Sequence, residues 1–136
     1  MPDGYHKRHW ISSSAQYTGM YLNGYPHGEG TLVFDDGLST YKGYFKKGNM
    51  DGYGVAVHHS GHINAGYKYV GGHKDGKRHG KGTRSFSTPH QHAGAKYVGE
   101  FTMGDYNGHG TMTIIPPHED AGTKYVGEFK NNEYNG

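Results

Sequence analysis

Apolar and polar positions along this chain alternate over short stretches, and the alternation restarts at fixed intervals. In Tyr97-Val98-Gly99-Glu100-Phe101 the side chains of Tyr97, Gly99 and Phe101 fall on one face of an extended strand and those of Val98 and Glu100 on the other. A tight turn is expected next, at Gly104, because glycine tolerates the positive φ that short hairpin turns require. The second strand then carries Gly108, Gly110, Met112 and Ile114 on one face. Glycine weakens a strand, so its regular use needs a physical reason. Aromatic rings lying flat across bare backbone, where a Cβ would obstruct them, supply one. The pattern therefore predicts β-hairpins and no helix.

The same unit recurs. Aligned on the first tyrosine, copies begin at Tyr17, Tyr41, Tyr69, Tyr97 and Tyr125, a spacing of 24 residues once and then 28 three times. The shared frame is Tyr-x-Gly-x-aromatic-x-x-Gly-x-x-x-Gly-x-Gly. Copy two fills it with Tyr41, Gly43, Phe45, Gly48, Gly52 and Gly54, and copy one with Tyr17, Gly19, Tyr21, Gly24, Gly28 and Gly30. Copy three has His73 at the second aromatic position, and the last copy has Tyr125, Gly127 and Phe129, with Asn132 in the turn where the others have glycine. Repetition at this period predicts a stack of supersecondary units without one central core.

These residues resemble the MORN (membrane occupation and recognition nexus) repeat family over about residues 17–136. The resemblance implies an all-β fold: an elongated, single-layer antiparallel sheet of successive β-hairpins. Two departures stand out: repeats two to four are longer than the usual unit of the family, and His73 replaces an aromatic. The added length lies in segments leading to Ala65-Gly66, Ala93-Gly94 and Ala121-Gly122, which read as enlarged loops along one edge, a usual place for contacts. Residues 1–16 read as an N-terminal half-repeat, with Gly4 level with the first paired glycine and Trp10 level with Phe34, Phe86 and Ile114. Half-repeats at the two ends suit head-to-tail self-association; an arbitrary cut through the repeats gives the same pattern.

Composition fits a thin sheet. The chain of 136 residues is 32% hydrophobic and holds 25 glycines, a balance that would not fold without its 13 tyrosines, which supply apolar area with a polar tip. The absence of cysteine excludes disulfides and thiolate metal sites and suits a reducing compartment. Residues 1–16 lack the apolar centre of a signal peptide, and no apolar run approaches the roughly 20 residues of a membrane helix. A cytoplasmic location is expected, at most peripheral at a membrane.

Net charge is only +2 but unevenly spread. Residues 69–96 hold Lys74, Lys77, Arg78, Lys81, Arg84 and Lys96 against Asp75, and residues 41–68 hold Lys42, Lys46, Lys47 and Lys68 against Asp51; the flanking repeats are acidic. Lys46, Lys47, Lys74, Lys77, Arg78 and Lys81 therefore form a candidate patch for anionic phospholipid, at about 1 kcal/mol per juxtaposed cation. Lys81 and Arg84 have opposite strand parity, which dilutes any single-faced patch. His62, His90 and His118 share one position in three repeats. Successive hairpins advance about 9.5 Å, too far for that column to share one ion with bonds of about 2.1 Å. They read as exposed polar residues.

The chain shows no nucleophile elbow, no phosphate loop opening a helix and no carboxylate pair fixed in a cleft, so no enzyme activity, cofactor, metal or nucleic-acid partner is expected. Recognition remains. Tyr17, Tyr41, Tyr69, Tyr97 and Tyr125, with Tyr21, Phe45, Phe101 and Phe129, are expected to line one face. They form the core of the sheet, and because one layer cannot bury both faces, part of the stripe should stay open to a peptide or helix from a protein partner. A non-catalytic interaction scaffold is thus the leading expectation, lipid binding the second, and an accessory module of an enzyme the third.

Overall fold

Each tyrosine–glycine unit folds as a hairpin because its turn and its strands agree. The computed structural model describes residues 4–11, 15–34 and 37–134, with the backbone alone for 4–11. Strands β1 (Gly4–Ile11), β2 (Ala15–Leu22), β3 (Tyr25–Phe34), β4 (Ser39–Lys46), β5 (Asn49–His58), β6 (Tyr67–Lys74), β7 (Lys77–Phe86), β8 (Ala95–Thr102), β9 (Asp105–Ile114), β10 (Lys124–Lys130) and β11 (Glu133–Tyr134) follow one another in a single antiparallel sheet in chain order. No helix occurs among the described residues. Two-residue turns with both residues at positive φ close the hairpins: Lys47 (49°) with Gly48 (88°), for example, and Asn131 (51°) with Asn132 (71°). That is the primed turn whose twist matches the strands, and it confirms asparagine in the role of glycine.

Register brings the glycines into one line. Gly19, Gly30, Gly43, Gly54, Gly71, Gly82, Gly99, Gly110 and Gly127 stand opposite one another from β2 to β10. A Cβ on Gly30, Gly54, Gly82 or Gly110 would fall inside the tyrosine ring of its own repeat, so the rings do lie against the bare backbone. The first glycine of each pair does something else. Gly52, for instance, adopts φ 97° within the register shift between Gly43 and Phe45, a bulge that takes Tyr44 out of pairing with β5. The hydroxyl of Tyr41 then donates to the carbonyl of Tyr44 at 2.9 Å. The same bond to the third residue onward recurs from Tyr17, Tyr69, Tyr97 and Tyr125, at 2.7–2.9 Å. In repeats one to four the ring thereby satisfies a carbonyl that the bulge leaves out of the ladder.

Trp10 departs from its expected place. Two register shifts between His6 and Arg8 set it opposite Tyr17, where Leu32 stands opposite Tyr41; its side chain is outside the described residues.

The rings interlock edge to face along the sheet, in the order Tyr21, Tyr17, Phe45, Tyr41, His73, Tyr69, Phe101, Tyr97, Phe129, Tyr125, with centroids 4.9–5.2 Å apart. His73 joins two apolar clusters, one around Tyr17 and Tyr41 and the other around Tyr69 and Tyr97. Both edges are stitched between repeats by backbone bonds: Gly48, Gly76 and Gly104 N–H to the carbonyls of Pro26, Met50 and Arg78, and Ser87 and Ile115 N–H to those of Gly66 and Gly94. Neighbouring hairpins are thus coupled at the turn edge, along the ladder and at the loop edge.

Candidate functional site

The aromatic rows themselves offer a partner little surface. Tyr17, Tyr41, Tyr69 and Tyr97 are fully buried, and Tyr21, Phe45, Phe101 and Phe129 are nearly so; Tyr125 is the half-buried one. The expectation of an open stripe is corrected here. Each tyrosine has glycine backbone beneath it, edge-on rings at its sides, and a side chain from the next strand above it. Burial pushes the hydroxyls of Tyr41, Tyr69 and Tyr97 up to about 12, so they stay protonated donors at any ordinary pH.

What covers the rings differs between repeats, and that difference opens a groove. Opposite the second aromatic of each hairpin stand Pro26, Met50, Arg78 and Tyr106 in turn; opposite the first stand Leu32, Ala56, Arg84 and Met112. In repeat four Tyr106 stacks on Tyr97 at 4.0 Å and closes the surface. In repeat two Met50 and Ala56 leave room. The resulting groove of about 440 Å³ is lined by Phe34, Tyr41, Met50, Ala56 and His58 on one side and by Tyr67, His73, Arg78 and Met103 on the other. It runs across the aromatic side, between the loop edge and the turn edge of repeats two and three.

Arg78 forms part of its wall. Its guanidinium donates to the Tyr67 hydroxyl at 2.7 Å and to the Gly104 carbonyl at 2.8 Å, and lies 5.8 Å from the Phe101 centroid. Arg84 sits beside it, donating to the Tyr106 hydroxyl at 3.2 Å, with its guanidinium over the rings of Tyr67, Phe86 and Tyr106 at 5.0–5.8 Å. Sequence reasoning placed Arg78 in a lipid patch and missed its aromatic setting, although comparing the repeats nine and fifteen residues after each leading tyrosine shows both arginines replacing uncharged residues.

His73 is the third basic residue on this face. Burial pushes its imidazole below the ordinary value of 6.5; hydrogen bonding to the Gly52 and Gly71 backbone opposes that, and Arg78 adds to it. Its Nδ1 is buried without a partner among the described residues. Because the folded form resists the proton that the unfolded form accepts, stability from this site is complete above about pH 6.5 and declines as pH falls below it. His73→Phe, restoring the ring that the other repeats carry, is expected to reduce the drop in Tm between pH 7.5 and 5.5. An unchanged drop would show that His73 is not the source.

The remaining candidates separate. Lys46, Lys47, Lys74 and Lys77 lie at or beside two successive hairpin turns, whereas Lys81 is on the opposite face, beside Val70, Val98 and Glu100. Nδ1 of His62, His90 and His118 accepts the N–H two residues onward at 2.9 Å, so the histidine column fastens the loops. His90 is buried, contrary to its reading as exposed. Among the described residues, no group of three or more His, Cys, Asp or Glu is placed to hold a metal ion. No helix among them is long and apolar enough to cross a membrane.

Sheet, stacked hairpins and a shallow groove on one face define a repeat scaffold of the β-hairpin class. The chain belongs to the MORN repeat family, whose repeat matches residues 17–39, 41–63, 69–88, 97–114 and 125–136. MORN repeats are protein- and membrane-interaction repeats, and the family is a scaffold family, not a catalytic one. A search of curated proteins gives no match.

Proposed function

We propose that this protein is a non-catalytic scaffold that docks a segment of a partner protein on its aromatic side, in the groove over repeats two and three. The observation that carries the reading is local: Tyr106 stacks on Tyr97 and fills the surface of repeat four, whereas over the equally buried rings of repeat two the smaller Met50 and Ala56 leave a groove. An apolar concavity walled by Tyr67, Met103 and Arg78 suits anchoring side chains from an extended or helical segment. Selection of a displayed library of random 15-residue peptides against the full chain tests it. Met50→Tyr copies the cover that Tyr106 gives repeat four, so it should fill the groove with Tm retained and weaken selected peptides at least tenfold. Peptides that bind Met50→Tyr as well as the native chain would place the site elsewhere.

A second reading rests on the four turn-edge lysines, which neighbouring turns bring to one side of the sheet. Weak, salt-sensitive binding to phosphatidylserine vesicles through Lys46, Lys47, Lys74 and Lys77 would follow. Co-sedimentation at low and physiological salt checks it; equal binding after all four are changed to glutamine would rule that edge out.

A further inference from the structure

We infer that the groove selects an acidic partner: a protein segment presenting an aspartate or glutamate carboxylate beside an apolar anchor, with Arg78 as the residue that reads the acid and Arg84, held on the same Tyr67, adding its charge beside it. The inference rests on the docking reading above and adds the chemistry of the occupant.

Three observations converge on repeat three. The first is substitution within the repeat itself. On the aromatic side the other hairpins carry Pro26, Met50 and Tyr106 at one covering position and Leu32, Ala56 and Met112 at the other; repeat three carries Arg78 and Arg84. In the same hairpin, the ladder position held elsewhere by Tyr21, Phe45 and Phe101 is His73. Three basic residues thus replace uncharged ones on a single face of a single unit. A breach of a local pattern that the rest of the fold obeys points to function, since apolar side chains would serve the sheet better.

The second is the company these cations keep. Arg and Lys drawn partly out of water are normally matched with carboxylates. Among the described residues, neither Arg78 nor Arg84 has a carboxylate within ion-pair distance. They are held by neutral groups: the Tyr67 and Tyr106 hydroxyls, the Gly104 carbonyl and the aromatic faces around them. Nε of each is buried and has no acceptor. Tyr67 ties the two together, accepting from Arg78 through its oxygen and meeting Arg84 with its ring. The guanidiniums are therefore preorganised in a semi-apolar setting with their charge unanswered, and a guanidinium fork is suited to a carboxylate.

The third is shape. Arg78 lines a concavity with Met50, Ala56 and Tyr67, into which side chains can descend, and Arg84 lies against the Tyr67 ring, just outside that lining. A bilayer surface would meet the turn-edge lysines first; of these Lys77 also lines the groove, beside Arg78. Asp105, also in the lining, sits opposite Thr102 in the β8–β9 hairpin, where it would disfavour an occupant that is acidic throughout. One carboxylate next to an apolar anchor is the better fit.

The test uses the same peptide selection, run in parallel on the native chain and on Arg78→Gln and Arg84→Gln, with Tm recorded for each. Groove-dependent peptides, meaning those lost on Met50→Tyr, should be enriched in Asp or Glu within a few residues of a large apolar residue. Their affinity should fall about tenfold or more on Arg78→Gln, and changing their acid to the amide should produce a similar loss. Arg78→Lys, which keeps charge without the fork, should recover part of it. Groove-dependent peptides with no acidic signature, or acidic peptides indifferent to both glutamine variants, would overturn the inference and leave the docking reading standing. No groove-dependent peptide at all would overturn both. If phosphatidylserine vesicles bind through Arg78 and Arg84 while acidic peptides do not, the anion is a lipid headgroup and the inference fails.

Discussion

Tyr69→Ala is expected to remove about 4 kcal/mol of stability, the range for deleting a fully buried aromatic, and to lower the urea midpoint accordingly. Tyr69 is completely buried, meets His73 and Phe101 edge to face, and donates to the Gly72 carbonyl at 2.8 Å. In a stack where each unit touches only its neighbours, the loss falls on the join between repeats three and four, so the unfolding transition should also broaden. Tyr69→Phe separates the terms: it keeps the ring and loses one hydrogen bond, a cost of about 1–2 kcal/mol. A loss below about 1 kcal/mol for the alanine variant, far short of the usual cost of a buried aromatic, would mean that the ladder is not the core.

The second large effect lies beneath the rings. Gly54 has an ordinary strand backbone, yet its Cβ would occupy the space of the Tyr41 hydroxyl and ring edge. Gly80 is the converse, with φ 86° but nothing within 4 Å of a Cβ. Gly54→Ala should therefore cost about 3 kcal/mol by unseating Tyr41, and Gly80→Ala only about 1–2 kcal/mol of backbone strain. Equilibrium unfolding of the two variants side by side gives the comparison. The reverse order would show that these glycines are kept for conformation alone.

How much of this could be read from the sequence follows from what each feature depends on. The hairpins, the turn at Gly104 and its equivalents, and the seating of rings on glycine were legible because each is a local consequence of spacing. The distinct role of Gly52 in a bulge, and the tyrosine hydroxyls that satisfy the carbonyls it frees, were not: both depend on a register shift that alternation alone does not encode. Closure of the aromatic stripe was misjudged for a similar reason. Cover for Tyr97 comes from Tyr106 folding back across the hairpin, so a single layer buries its own rings without a second sheet. Arg78 and Arg84 were visible as charge, but their face became evident only once register set them opposite His73 and Tyr69.

The most direct test of the docking account is amide chemical-shift mapping of the labelled full chain with a selected groove-dependent peptide. Perturbations centred on Met50, Ala56, Tyr67, Arg78 and Met103 are the predicted result. Perturbations centred on Tyr44, Tyr53 and Val98, which are exposed on the opposite face, would contradict it.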